Sequence, residues 1–227
     1  MRLIKKKGII IFWLFLVADC FFIFLNQLSI ANIFKALLVP VLIAYLLLNA
    51  RKGVHLVSKI YFITGLFFAW LGDLFLIKNN DTFFLIGMCS FLLTHIIYAI
   101  SFYNIRPISF SKSYQSLIAA LFMIGISIPF YLLLEGYLGA FKLPIIVYMI
   151  AISAMVIFAT NILQSVTKRS LAVNFFIPGA ILFVLSDAIL AVNKFYLMES
   201  FLNVVVILSY GYAQALIAEG FCKILKS

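Results

Sequence analysis

Charge is what this 227-residue chain has least of: 11% of its residues are Asp, Glu, Lys or Arg, against about a quarter in an ordinary soluble domain. So few charges cannot cover a water-facing surface, and they are too few for a disordered tail. Cysteine is scarce as well. Cys20, Cys89 and Cys222 lie in or at the ends of apolar segments, without CxxC or metal spacing, which excludes a disulfide scaffold and reads as three buried free thiols. With only His55 and His95 in the chain, no metal site of ordinary His or Cys spacing can be assembled, and no cofactor is expected. There is no Gly-rich phosphate loop, no G-x-S-x-G elbow and no Ser/His/Asp arrangement. The net charge of +10 does not point to nucleic acid, because the basic residues form no stripe interleaved with aromatics.

What remains is apolar. Hydrophobic residues make up 66% of the chain, aromatics 17%, and the mean hydropathy is +1.21. A bilayer-spanning helix uses about 20 apolar residues. Eight apolar runs are present, at about 8–25, 33–50, 57–77, 82–104, 114–135, 142–163, 173–193 and 201–222. The markers between them are Asn26 to Asn32, Arg51-Lys52-Gly53, Lys78 to Asp81, Arg106-Pro107, Glu135-Gly136, Lys168-Arg169 and Lys194 to Glu199. A span in lipid must satisfy its own backbone groups, so helices are expected, and the alternation of barrel strands is missing. The reading is an all-α, polytopic protein of one transmembrane domain over 1–227, with eight helices.

The first run follows Arg2, Lys5, Lys6 and Lys7 as a signal peptide would. It is long, lacks an A-x-A site and carries Asp19 near its end, so it reads as an uncleaved span. Assigning loops alternately puts 13 basic residues on one side: Arg2, Lys5, Lys6, Lys7, Arg51, Lys52, Lys59, Arg106, Lys112, Lys168, Arg169, Lys223 and Lys226. Only Lys35, Lys78, Lys142 and Lys194 fall on the other. The positive-inside rule then places both termini in the cytoplasm, in a bacterium at the cytoplasmic membrane.

Two spans echo each other. GLFFAWLGD (65–73) and GAILFVLSD (179–187) place Gly eight residues before Asp, with Leu at matching offsets and Tyr98 carried onto Tyr212. A duplication would be a parallel 4+4 repeat about an axis along the membrane normal.

Ionisable groups inside spans are costly and functional by default. Here they are Asp19, Asp73, Asp187 and His95, with Lys35 and Lys194 near span ends. At about 1.5 Å of rise per residue, Asp73 lies roughly 6 Å inside the outer boundary, and Asp19 and Asp187 roughly 9 Å. Lys35 opens the second span, and Asn193 and Lys194 close the seventh, on that same side. Three carboxylates and two amines therefore share one layer. His95 lies deeper, with Tyr98 at i+3 on nearly the same face, and Tyr210 and Gln214 reach comparable depths. The bland alternative is that Asp–Lys pairs merely pin helices together. Gly72, Ser186 and Ala188 beside the two paired acids argue otherwise, since small residues permit close approach and leave room for a ligand.

At these motifs the chain resembles the YhhN, or lysoplasmalogenase, family of eight-span membrane proteins. The matching stretches are GLFFAWLGDLFLI (65–77), FFLIGMCSFLLTHIIYAISF (83–102), GAILFVLSDAILAVNKF (179–195) and YGYAQALI (210–217). Lys35 is similar to the family's second-span lysine, although the usual Lys-Pro is Lys-Ala here and a proline follows only at Pro40. The resemblance implies an ether hydrolase acting on a lysophospholipid. It would cleave the vinyl-ether bond of lysoplasmalogens to a fatty aldehyde and glycerophosphoethanolamine or glycerophosphocholine.

The residues suit that chemistry. Vinyl-ether hydrolysis needs a carboxylic acid that keeps its proton near neutral pH and a second group that stabilises a cation and activates water. Two close carboxylates in low dielectric do not readily both ionise, so Asp73 and Asp187 are expected to divide into one acid and one base, as in glycosidases. Lys35 or Lys194 would hold the phosphate as a point charge. His95, Tyr98, Tyr210 and Gln214 would line the chain tunnel, orient water or link helices. The competing readings are a proton- or cation-coupled transporter, and a lipid-binding protein without turnover.

Overall fold

The structure is a computed structural model that describes residues 2–49, 56–78, 80–108 and 114–226. The Arg51-Lys52-Gly53 turn, His55 and Lys112 lie outside the described residues. Eight helices follow one another in the described chain: α1 (Arg2–Phe24), α2 (Leu28–Asn49), α3 (Leu56–Leu76) and α4 (Asp81–Ile105), then α5 (Tyr114–Leu134), α6 (Lys142–Asn161), α7 (Arg169–Leu197) and α8 (Ser200–Lys226). No strand occurs among the described residues. Seven of these helices are long and apolar enough to cross a membrane, and α1 carries a shorter apolar stretch, Gly8–Phe24. The protein is an all-helical, multi-pass membrane protein.

Local chemistry sets the helix ends. Asn26 takes a left-handed φ of 57°, a conformation asparagine tolerates better than most residues. The turn between α1 and α2 therefore needs only 25–27, and α2 begins at Leu28 although polar residues run on to Asn32. Asn80 caps α4 by accepting from Phe83 N–H at 2.8 Å, and Asp81 adds a negative charge to the first turn, where the helix dipole favours it. α7 is regular over Ile177–Val192, with π-helical turns at Ala172–Phe176 before Pro178 and at Asn193–Leu197. It runs past Lys194 because the left-handed residue that ends it is Met198, with φ 56°. Asn193 closes that end: its Oδ1 accepts from Glu199 N–H at 2.7 Å and its amide donates to Asn203 at 3.0 Å.

Short connections make neighbouring helices pack as pairs. α3 meets α4 through glycine: a Cβ on Gly65 would stand 2.5 Å from the Tyr98 ring, and one on Gly72 would stand 2.7 Å from the Phe91 ring. α7 meets α8 at Gly179, against Ile217, and through Ser186 Oγ, which donates to the Val206 carbonyl at 3.1 Å. The residues matched by the internal echo have unlike surroundings at one point: Tyr98 is fully buried, whereas Tyr212 is exposed and stacks beside Trp13. α8 is the buried centre of the bundle, and α5 lies at the periphery with only Ser116, Met123 and Leu134 buried. The outward faces carry Leu14, Phe24, Leu121 and Phe122, all more than half exposed. Such a surface suits lipid and not water. The cysteines are free, but only Cys222 is buried. Cys20 is partly covered and Cys89 points outward, which corrects the expectation of three buried thiols.

Candidate active site

Three helices bring one carboxylate to two partners. Asp187 projects from the middle of α7, and its Oδ2 lies 2.9 Å from His95 Nε2 on α4. It also accepts from the Tyr148 hydroxyl on α6 at 2.7 Å. Tyr148 Oη and His95 Nε2 are themselves 2.8 Å apart, so the three groups form a closed triangle. His95 is fully buried, and its Nδ1 has no hydrogen-bond partner among the described residues. Nε2 is thus the ring nitrogen placed to donate to Asp187. Both contacts fall on Oδ2 of Asp187, which leaves Oδ1 without a hydrogen-bond partner among the described residues.

Asp187 faces a pocket with some 780 Å³ of space, part of it open to the outside. Its walls come from α4, α5, α6 and α7, with Leu76 of α3 at one edge. They are apolar residues such as Met88, Phe91, Met123 and Ile152, and the polar groups are Asp187, Tyr148 and Ser127. A narrow apolar space with one carboxylate in its wall can hold a hydrocarbon chain and present a single bond to that acid.

A second polar chain runs beside the first. Asp73, on α3, is 2% exposed, and its Oδ2 accepts from Tyr210 of α8 at 2.7 Å. Tyr210 in turn accepts from the Gln214 amide at 3.3 Å, and Tyr98 donates to Gln214 Oε1 at 2.9 Å. Phe183 separates the two clusters, with ring centroids 4.7 Å from His95 and 5.5 Å from Tyr210. No hydrogen bond joins Asp73 to Asp187 among the described residues, but the two lie within electrostatic reach of each other.

Asp73 also feels the charges of Lys35 and Asp19. Asp19 is fully buried with both oxygens unpartnered, and Lys35 lies near it from α2 without closing an ion pair among the described residues. Lys194 stands apart from these groups. Its ammonium pairs with Asp81 at 2.9 Å and lies 5.3 Å from the centre of the Phe84 ring. The structure thus joins His95 to Asp187, and Tyr98, Tyr210 and Gln214 to Asp73. It keeps Lys194 and Asn193 at the helix end.

The profile of the YhhN family matches residues 30–221. The chain belongs to the YhhN family. Among curated proteins, lysoplasmalogenase TMEM86A of Bos taurus is 32% identical over 158 residues, covering 68% of this chain and 62% of the relative. Lysoplasmalogenase TMEM86A of Homo sapiens is 31% identical over 159 residues, with the same two coverages. The matched region thus spans about three-fifths of the length of these relatives. No solved structure gives a significant match. In this YhhN protein both polar clusters lie inside the matched region, while Asp19 lies before it.

Tyr148 was not among the residues that sequence reasoning selected. It is one of 11 tyrosines, and no motif surrounds it. Depth was the available signal: six residues beyond Lys142 it sits roughly 9 Å into its span, level with Asp187.

Proposed function

We propose that this YhhN protein is an eight-span membrane hydrolase of the lysoplasmalogenase type, with both termini in the cytoplasm. It would release a fatty aldehyde from the vinyl-ether bond of a lysophospholipid. The observation that carries the reading is Asp187, held by His95 and Tyr148 in the wall of an otherwise apolar pocket. The relatives named lysoplasmalogenase support the same chemistry, and the distribution of Lys and Arg supports the orientation.

In this mechanism the alkenyl chain fills the pocket and the vinyl ether lies against Asp187. Asp187 carries its proton on Oδ1 and gives it to the β-carbon, whose π electrons form the new C–H bond. The positive charge left on the adjacent carbon is shared with the ether oxygen. The Asp187 carboxylate faces that cation, and its new charge is met by the Tyr148 O–H and the His95 N–H on Oδ2. Water adds to the cation and returns a proton to Asp187, which restores the acid. The hemiacetal then collapses to aldehyde and a glycerol hydroxyl, its own hydroxyl proton passing to the departing oxygen.

Asp73 is the second carboxylate of the pair. It is buried and held by the Tyr210 hydroxyl. Asp187, which lines the pocket where Asp73 does not, is assigned the acid role, and Asp73 a supporting one.

The test is aldehyde release by purified protein from a 1-alkenyl lysophosphatidylethanolamine, with the saturated ether lysolipid as control. Wild type should release aldehyde from the alkenyl substrate alone, and Asp187→Asn should release none. Equal release by Asp187→Asn would overturn the mechanism, and no release by folded wild type would overturn the activity.

A further inference from the structure

The outer end of the pocket is ringed by charge. Each of the four helices that wall it supplies one ionisable side chain there. Asp81 lies three residues before Phe84, Lys142 three before Ile145 and Lys194 three after Ala191, while Glu135, directly after α5, lies five beyond Phe130; those four anchors all line the pocket. Three residues are about 4.5 Å of helix, so the charges stand roughly one turn above the apolar walls. They pair between helices: Lys194 with Asp81 at 2.9 Å, and Lys142 with Glu135 at 3.5 Å. Beside them the rings of Phe84, Phe141 and Phe195 pack at 5.2–5.7 Å between centroids.

The rim thus holds two acids and two bases. Exposed ion pairs of this kind contribute only about 0–1 kcal/mol to folding, so they can exchange partners at little cost. Lys194 is 26% exposed and Asp81 75%, which leaves both accessible to a ligand. Asp187 and Lys194 are seven residues apart on α7, about 10 Å of rise. A lysolipid whose ether bond meets Asp187 therefore has its headgroup at this rim, a few bonds further out. Lys35 cannot serve it, because no α2 residue lines the pocket.

We propose that Lys194 and Asp81, completed by Lys142 and Glu135, form a headgroup site that selects a phosphate–ammonium zwitterion over a net-anionic headgroup. The phosphate takes Lys194, and the ammonium takes Asp81 and the aromatic faces beside it. An anionic headgroup satisfies the lysine but sets a second negative charge beside Asp81. The proposal rests on the lysolipid reading of the pocket, and it assigns the side chains that read the headgroup.

The experiment is equilibrium binding of two saturated-ether lysolipids of equal chain length to the full chain in detergent: lysophosphatidylethanolamine and lysophosphatidic acid. Wild type should prefer the zwitterion about tenfold, the scale of one charged hydrogen bond. Asp81→Asn/Lys194→Gln, which removes the pair without stranding a charge, should bind both alike. Glu135→Gln is the second variant should that one fail to fold; by removing a rim acid it should narrow the preference. Equal binding by wild type, or an undiminished preference in the folded variants, would overturn the site. Binding is read without turnover. A chain that selects the zwitterion yet releases no aldehyde would uphold the rim and remove the hydrolase reading. A chain that releases aldehyde but binds both headgroups equally would do the reverse.

Discussion

Replacing Tyr148 by phenylalanine removes one oxygen and almost nothing else. The ring stays against His95, 5.1 Å between centroids, and still walls the pocket beside Met149 and Ile152. What disappears is the 2.7 Å hydrogen bond to Asp187 Oδ2 and the 2.8 Å contact with His95 Nε2. In the proposed mechanism Asp187 starts with its proton on Oδ1, and the bond to Oδ2 is of ordinary strength. Once the proton has moved to carbon, the same hydroxyl faces a full carboxylate charge. A hydrogen bond to a charged group contributes about 1.5–3 kcal/mol, so losing it in the transition state should lower kcat by about 10- to 150-fold. KM should change little, because the chain-binding surface is apolar and intact. The assay is steady-state aldehyde release from an alkenyl lysophosphatidylethanolamine, with Tyr212→Phe as the control. Tyr212 is 49% exposed, and its change should cost nothing. An unaltered kcat for Tyr148→Phe, or a loss confined to KM, would refute the role given to this hydroxyl.

Further expectations concern packing and the buried polar chain. Gly72→Ala places a methyl 2.7 Å from the Phe91 ring, so α3 and α4 must part or the ring must turn, at about 1–3 kcal/mol. The thermal midpoint should fall, whereas Gly125→Ala on α5, with nothing within 4 Å, should not lower it. Gln214→Leu strands the fully buried Tyr98 hydroxyl, a loss of about 1–3 kcal/mol. Tyr98→Phe combined with Gln214→Leu should recover part of that stability, and a double variant no better than the single one would count against the network.

Much of the architecture was legible because a bilayer imposes it. Apolar runs of span length separated by charges can only be helices, and the helices lie where the runs do. The differences fall at turns, where single residues decide. Asn26 and Met198 adopt left-handed backbone and end helices without a long polar linker. Lys194 sits inside a helical turn because α7 ends only at Met198. Asp73, Asp187, His95, Tyr98, Tyr210 and Gln214 were legible as polar groups at the wrong depth. Their division into two clusters was not, because it depends on which helix faces lie opposite. Nor could sequence keep α2, and Lys35 with it, away from the pocket, since that depends on how α1, α2 and α3 are rotated. Tyr148 was hidden for the same reason: a tyrosine in a span is usually packing, and only the approach of α6 to α7 makes it a partner of Asp187.

Proton transfer to carbon is the central claim, and it leaves a mark in the product. Turnover of an alkenyl lysophosphatidylethanolamine in deuterium oxide, with the aldehyde trapped by reduction and weighed by mass spectrometry, reads it directly. Wild type should deliver one deuterium to the carbon next to the carbonyl, and Asp187→Asn should give no labelled product. Aldehyde released without deuterium at that carbon, or labelled aldehyde formed equally well by Asp187→Asn, would contradict the account.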